Sequence, residues 1–248
     1  MIDMKSISVS CFSEAKDAER GNQDAILLPQ RIDNGIVFGI ADGVGGYLGA
    51  ERASQIVINV LARTKRITQS NIDLLFNNFN KAVSDLSLDN PNLHQAATTL
   101  SFCSICDKGL YIGHIGDCRV YFRENNTLKQ VTNDHTQHRK LIELGVYTPK
   151  EIAKLPGKNI ITTAIAKNIK MEYDKIFMSW ADMRKYICNN EVIIYIMSDG
   201  AYHFWDKRKR FSPKTMNDVN RFAVSLKNRI IKSPMDDYSL IGIQFRLH

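Results

Sequence analysis

The stretch GIVFGIADGVGGYLG, residues 35–49, holds an apolar run from Ile36 to Ala41 that ends on Asp42. Glycines follow at positions 43, 45, 46 and 49, and a helical pattern begins after them. A short apolar run bounded by glycines reads as a buried strand. An acidic residue at its end, followed by Gly, puts a carboxylate and bare backbone at the mouth of the fold. Two chemistries suit that arrangement. One is a hard cation with oxygen ligands. The other is a phosphate lying on glycine amides.

Working outward, residues 5–12 read as a strand, 14–24 as a polar loop and 25–29 as a second short strand. Residues 51–63 and 71–88 carry apolar side chains at helical spacing, among them Val57, Leu61, Phe76 and Phe79. Residues 97–106, 109–115 and 118–123 are strand-like, punctuated by Asp107-Lys108-Gly109 and Gly116-Asp117, with 128–131 as a fourth run. This pattern predicts an antiparallel meander. Residues 134–144 predict a helix closed by Gly145, and Thr148-Pro149 opens a shorter one. Residues 160–165 are apolar and β-branched, and 170–180 predict a strand. A buried strand over 191–197 ends in Ser198-Asp199-Gly200, a helix spans 213–227, and Asp236-Asp237 precedes a last strand over 238–247. Strands before and after the two central helices point to stacked antiparallel sheets with helices outside, in one domain.

The chain has 248 residues, 44% of them hydrophobic and 24% charged, which is the composition of a soluble globular protein. No apolar run approaches the roughly 20 residues of a membrane helix, and the N-terminus lacks a segment of signal-peptide length. The cysteines at 11, 103, 106, 118 and 188 sit mostly in apolar runs, as expected of free thiols in a reducing cytoplasm. Cys103 and Cys106 are spaced like a zinc half-site, but no second pair accompanies them and a strand would turn them to opposite faces. The net charge of +7 favours acidic partners, with basic residues gathered at 207–210 and between Arg221 and Lys232. Those clusters read as a solvated face. Without interleaved aromatics they make no nucleic-acid motif.

The recurring feature is an aspartate at a strand end. Asp42 and Asp199 each close an apolar strand and precede Gly, Asp117 lies between two strands, Asp236 and Asp237 precede the last one, and Asp24 opens a short one. Each of these, taken singly, is also an ordinary turn residue. As a set they describe carboxylates that repel one another unless a cation neutralises them. Oxygen donors with few histidines favour Mn²⁺ or Mg²⁺ over zinc or copper. The nucleotide-loop reading of 43–49 fails on context. A second helix follows the first, with no strand ending in an acidic residue about 20 residues on. A cysteine phosphatase is excluded because no CxxxxxR loop is present. His135 and His138 read as an i, i+3 pair on a helix, and His114 as a packed core residue.

The order of short motifs resembles the PPM-type metal-dependent protein phosphatases, the protein phosphatase 2C family, and especially their compact bacterial branch. The matching segments are Asn22-Gln23-Asp24, Asp42-Gly43-Val44-Gly45-Gly46, Thr98-Thr99-Leu100, the run from Gly113 to Tyr121, the run from Val131 to His135, residues 160–165, Ser198-Asp199-Gly200 and Asp236-Asp237-Tyr238-Ser239. The resemblance implies an α+β fold, a four-layer α-β-β-α sandwich of two antiparallel sheets flanked by helices. It implies a single domain over residues 1–248, with a flap at about 135–158 that varies in this family and shapes substrate choice. It also implies roles. Asp42 would bridge two metal ions with the Gly43 carbonyl completing the second, Asp199 and Asp236 would hold the first, Asp24 would act through a metal-bound water, and Asp117 would help hold a third, weaker ion.

The departures are specific. Glu19 stands where the family's phosphate-binding arginine usually sits, so Arg20 or Lys16 would take that contact. Val44 replaces a His found in many eukaryotic members, leaving a metal-bound water to protonate the leaving alkoxide. Cys118 replaces a usual Ser, and Asp237 a usual Asn. The implied activity is Mn²⁺- or Mg²⁺-dependent hydrolysis of phosphoserine and phosphothreonine in proteins, without a covalent enzyme intermediate. The implied setting is a bacterial cytoplasm, with a Ser/Thr kinase and its substrates as partners and a monomeric enzyme. A non-catalytic phosphoprotein-binding module on the same fold and a metal-dependent nuclease are the alternatives.

Overall fold

The computed structural model describes residues 7–17, 19–46, 48–157 and 159–247. The first two residues of the expected strand over 5–12, Tyr47 of the glycine stretch and the flap residue Lys158 lie outside the described residues. Two five-stranded antiparallel sheets stack face to face. One is built from β1 (Ser8–Glu14), β7 (Arg119–Glu124), β8 (Thr127–Gln130), β11 (Glu191–Met197) and β12 (Tyr238–Arg246), in the order β1-β12-β11-β7-β8. The other contains β2 (Asp24–Ile32), β3 (Gly35–Asp42), β5 (Leu100–Cys106), β6 (Gly109–Ile115) and β10 (Asp174–Ser179), in the order β10-β6-β5-β3-β2. A two-stranded ribbon of β4 (Ala97–Thr98) and β9 (Ile165–Ala166) completes the set.

Three buried layers hold the stack together. Helices α1 (Ala50–Ala62) and α2 (Ile72–Asp89) cover the β2–β3–β5 sheet through Leu61, Phe76 and Phe79 against Val37 and Phe102. Helices α5 (Asp199–Lys207), α6 (Pro213–Met216) and α7 (Val219–Ile230) cover the other sheet through Trp205, Phe222 and Leu226 against Tyr195 and Leu240. Between the sheets, Phe38, Ile40 and Ile112 meet Ile194, Ile196 and Ile241. This is the four-layer α-β-β-α sandwich that the motif order implied.

Side chains alternate along a strand, so one face of each strand points to helices and the other to the opposite sheet. In β3, Val37 and Ala41 face the helices while Phe38 and Ile40 face the partner sheet. Asp42 shares the parity of Phe38 and Ile40 and therefore ends on the inter-sheet side. Asp24 has the parity of Ile26, and Ser198 that of Ile194 and Ile196. The apolar alternation thus delivers these polar groups to one end of the gap between the sheets.

Several elements differ from the sequence expectation. The meander over 97–131 is not continuous: β6 and β7 belong to different sheets, and the chain crosses from one to the other at 116–118. The segment 97–106 is two strands, broken at Thr99, whose N–H donates to the Asp42 carbonyl instead of continuing a ladder. The helix expected over 134–144 is α3, Gln137–Glu143, because Asp134 is drawn off by Arg119 and Thr136 supplies the cap. The His135–His138 pair therefore does not share a helix. The short helix after it, α4 (Pro149–Ile152), carries the expected Thr148 cap as a full capping box with Glu151. Only Ile165 of 160–165 is in a strand. The helix expected over 213–227 is broken before Asp218, whose carboxylate caps α7 by accepting from the Asn220 and Arg221 amides. Pro29 is tolerated in β2 because that strand lies at a sheet edge and shifts register between Leu27 and Gln30.

The crossing at 116–118 depends on Gly116. Its φ is +98°, and a Cβ there would lie 2.4 Å from the Thr99 side chain. Gly116→Ala combines left-handed strain with overpacking and is expected to cost about 2–4 kcal/mol. Denaturant unfolding measures this; a loss below about 0.5 kcal/mol, the range of ordinary surface substitutions, would show that the crossing is not so constrained.

Candidate active site

A cleft of about 340 Å³ opens at the end of the sandwich where these strand ends converge. Asp42, Gly43, Asp117, Asp199 and Asp236 line it together with Arg20. Asp24, opposite Asp42 in the β2–β3 register, lies buried and is not among the lining residues. The aspartates thus arrive from both sheets, the crossing loop and the start of a helix.

Each carboxylate is positioned by backbone. Asp42 is held by the strand break: its carbonyl accepts from the Thr99 N–H and the Thr98 hydroxyl, both at 2.8 Å. Gly43 sits so close to the start of α1 that a Cβ would lie 2.7 Å from the Ala50 carbonyl group. Asp24 Oδ2 accepts from the Ser198 hydroxyl at 2.8 Å, and Asn22 accepts the Asp24 N–H at 3.0 Å. Asp199 is the first residue of α5, where the helix N-terminus favours a negative charge.

The electrostatics are those of crowded like charges. Burial pushes the Asp24 carboxyl up to about 7, with the nearby Asp199 and Asp237 charges adding to it. Burial and then the Asp199 charge push Asp117 up to about 8. Burial and then Asp236 bring Asp199 to about 6. Asp42 is raised well above the ordinary carboxylate range, by burial first and by Asp24, Asp199 and Asp117 after it. The buried Oδ1 of Asp24 and the buried Oε1 of Gln23 have no hydrogen-bond partner. Acceptor-only oxygens, mutually repelling and partly orphaned, fit a hard divalent cation, directly or through water.

Around the carboxylates lie residues whose roles the sequence did not disclose. Asp237 is buried and accepts the Lys16 N–H at 2.8 Å, the Gln23 N–H at 2.9 Å and the Arg20 guanidinium at 3.0 Å. It ties down the loop before Asp24. The Arg20 side chain is 44% exposed and also reaches Asp236 Oδ1 at 3.4 Å. Arg119, next to the crossing, chelates Asp134 with bonds of 2.6–3.1 Å, binds Asp206 at 2.7 Å and stacks over the Tyr202 ring at 3.6 Å. It clamps β7, the loop before α3 and helix α5 together. No sequence pattern announces Asp206 or Tyr202, because α5 itself is masked by the strand-end motif before it. Cys118 is buried beside Thr99, and burial drives its thiol strongly up, so it is no nucleophile.

His114, His135 and His138 make structural contacts. His114 is fully buried, bonded through its ring nitrogens to Ser101 and the Asn133 carbonyl at 2.8 Å each, and lowered to about 4 by burial. His135 accepts from the Gly116 N–H at 3.2 Å and faces Asp174 at 3.4 Å. These three side chains lie near enough to share an ion, but both His114 nitrogens are already engaged. His138 donates to the Pro156 carbonyl inside the flap region.

The family pattern for protein phosphatase 2C matches residues 15–230. The serine/threonine phosphatase Stp of Listeria welshimeri is 28% identical over 162 residues, covering 62% of this chain and 64% of that protein. The match thus spans slightly under two thirds of that relative's length. The Mycobacterium tuberculosis serine/threonine phosphatase PstP/Ppp superposes with a TM-score of 0.78 at 21% identity, over 98% of this chain and 100% of that one. The catalytic domain of PstP in complex with 2 manganese ions gives a TM-score of 0.73 at 21% identity, over 98% and 99% of the two chains. These structures share the fold described above. With the family pattern spanning most of the chain, through the glycine stretch and Asp24, Asp42, Asp117 and Asp199 and ending before Asp236, the chain belongs to the protein phosphatase 2C family.

Proposed function

We propose that this chain hydrolyses phosphoserine and phosphothreonine in proteins, with Mn²⁺ or Mg²⁺ held by its aspartate cluster. The observation that carries this reading is the convergence of Asp42, Asp117, Asp199 and Asp236 on one cleft above the orphaned Asp24 oxygen. The manganese-bound PstP catalytic domain and the phosphatase names of the relatives support it. In this reading Asp42 would serve both ions, the Gly43 carbonyl the second, and Asp199 and Asp236 the first, while Asp24 would contribute through water and Asp117 would help hold a third, weaker ion. Such ions would supply Lewis acidity that activates water and neutralises charge on the phosphoryl oxygens.

The chain's own residues supply the rest. Thr98 and Thr99 fix the Asp42 backbone, so its carboxylate need not reorganise during reaction. Arg20 already leans over the cleft, and exchanging its exposed 3.4 Å contact with Asp236 for a phosphoryl oxygen costs little. Val44 lines the cleft and offers no proton, so the leaving alkoxide takes its proton from water. The buried Cys118 thiol leaves no cysteine for a covalent intermediate at the site. The same reading treats residues 1–248 as one monomeric catalytic domain with 135–158 as its flap. It puts the protein in a bacterial cytoplasm opposite a Ser/Thr kinase. No described helix is long and apolar enough to cross a membrane, and the cysteines are free, in keeping with that setting.

Phosphate release from an aryl phosphate and a phosphothreonine peptide with Mn²⁺ tests the activity. Asp42→Asn and Asp199→Asn are each expected to lower kcat by about 100-fold or more. Unchanged turnover in both would remove the mechanism, and peptide binding without phosphate release would make the chain a binding module.

The raised carboxyls also set a pH dependence for the metal-free protein. Asp24, Asp117 and Asp199 titrate in the fold near 7, 8 and 6, against an ordinary value of 3.8. The folded state therefore holds more protons than the unfolded chain between about pH 4 and 8. Their contribution is present at the acid end and is lost as pH rises through that window. In chelator, Tm should fall from pH 5.5 to pH 8, and Mn²⁺ should raise Tm more at pH 8 than at pH 5.5. A metal-free Tm that climbs across the window would contradict the assignment.

A further inference from the structure

A second cavity, about 610 Å³, opens beside the carboxylate cleft and shares Val44, Gly45, Asn159 and Ile161 with it. Its character is the opposite of the cleft's. Among the described residues that line it there is no Asp, Glu, Lys or Arg. Its floor is formed by Ala97, Ala164 and Ala166, all buried, with Val44 and Ile161 packed against them. These alanines belong to the β4–β9 ribbon and the residue before it, a rigid platform tied to the site because Val44 N–H donates to the Ala97 carbonyl at 3.0 Å. At its margin Ile160 is 56% exposed and Ile169 45%. A lone exposed isoleucine is ordinary. Two of them bordering an uncharged groove continuous with a catalytic cleft leave apolar surface that a bound chain would cover.

The continuity selects the occupant. A phosphorylated residue in the carboxylate cleft carries its own chain past the shared wall. In an extended segment each residue advances about 3.3 Å and alternate side chains share a face, so the side chain two residues away emerges about 7 Å along on the same side. We infer that this groove seats a large aliphatic side chain of the phosphoprotein substrate, two residues from the phosphorylated Ser or Thr, and so selects substrates by sequence. The inference rests on the hydrolytic function proposed above. Ile160 and Ile169 are the specificity-determining residues, and neither lines the carboxylate cleft.

The test uses phosphothreonine peptides identical except for Leu or Asn at each position up to about three residues either side of the phosphorylated one, with p-nitrophenyl phosphate alongside. With Mn²⁺, the unmodified protein should favour Leu over Asn in kcat/KM by about tenfold at a position two residues away. Ile169→Asp and Ile160→Asp should each reduce that preference to about twofold or less while p-nitrophenyl phosphate turnover stays within about twofold. Equal turnover of Leu and Asn peptides at every position would overturn the inference, as would a preference that survives both substitutions. Equal turnover together with self-association that Ile169→Asp abolishes would assign the groove to a second copy instead. If neither p-nitrophenyl phosphate nor any peptide releases phosphate, the hydrolytic reading itself falls, and that result differs from all of these.

Discussion

The structure turns on the mutual repulsion of carboxylates gathered in one cleft. Asp117 is buried, Asp42 and Asp199 are half-buried, Asp24 is buried opposite Asp42, and desolvation with like charge raises all four. Left ionised and alone, such a group would spread apart or draw in water. It is held because each member hangs from a backbone that cannot yield. Two are bound by strand parity, one by a crossing that only glycine can make, and one by the first turn of a helix. The sandwich supplies rigidity, and the cluster keeps an unmet demand for positive charge.

That demand explains which polar contacts surround it. Neutral hydroxyls and amides reach the aspartates: Ser198 bonds Asp24, and Thr98 and Thr99 bond the Asp42 backbone. The strongest cation nearby, Arg119, is engaged by Asp134 and Asp206, outside the cleft. Arg20 stands at the mouth and is shared between Asp236 and the buried Asp237. Charge compensation inside the cleft is thus left to a ligand, while the fold's own ion pairs brace the walls.

Much of this is legible in the sequence, for identifiable reasons. Apolar strands followed or preceded by aspartate are local patterns, so Asp42, Asp199 and Asp236 can be named from the residues alone, and the glycine at 43 can be given its close approach. The layers follow from strands flanking two periodic helices. What is not legible depends on distant partners. The expected meander fails at 116–118 because a turn signal does not say whether the next strand joins the same sheet. The helix within 134–144 is shorter than its pattern because Asp134 answers to Arg119, a residue of another element. Asp237 looks like a second ligand-side acid, and its anchoring of Lys16, Arg20 and Gln23 emerges only when the chain ends meet. Helix α5 hides behind a strand-end motif.

The crossing of the chain between sheets has a wider consequence. Asp24 and Asp42 belong to one sheet, while Asp199 and Asp236 flank strands of the other, and the stack closes through side chains such as Phe38, Ile40, Ile196 and Ile241. The spacing across the cleft is therefore a thickness gauge for that hydrocarbon layer. Interiors are close-packed and shift by whole side chains rather than stretch. A methyl group gained or lost midway between the sheets would be felt as a change in the bite of the aspartates, at a site it never touches.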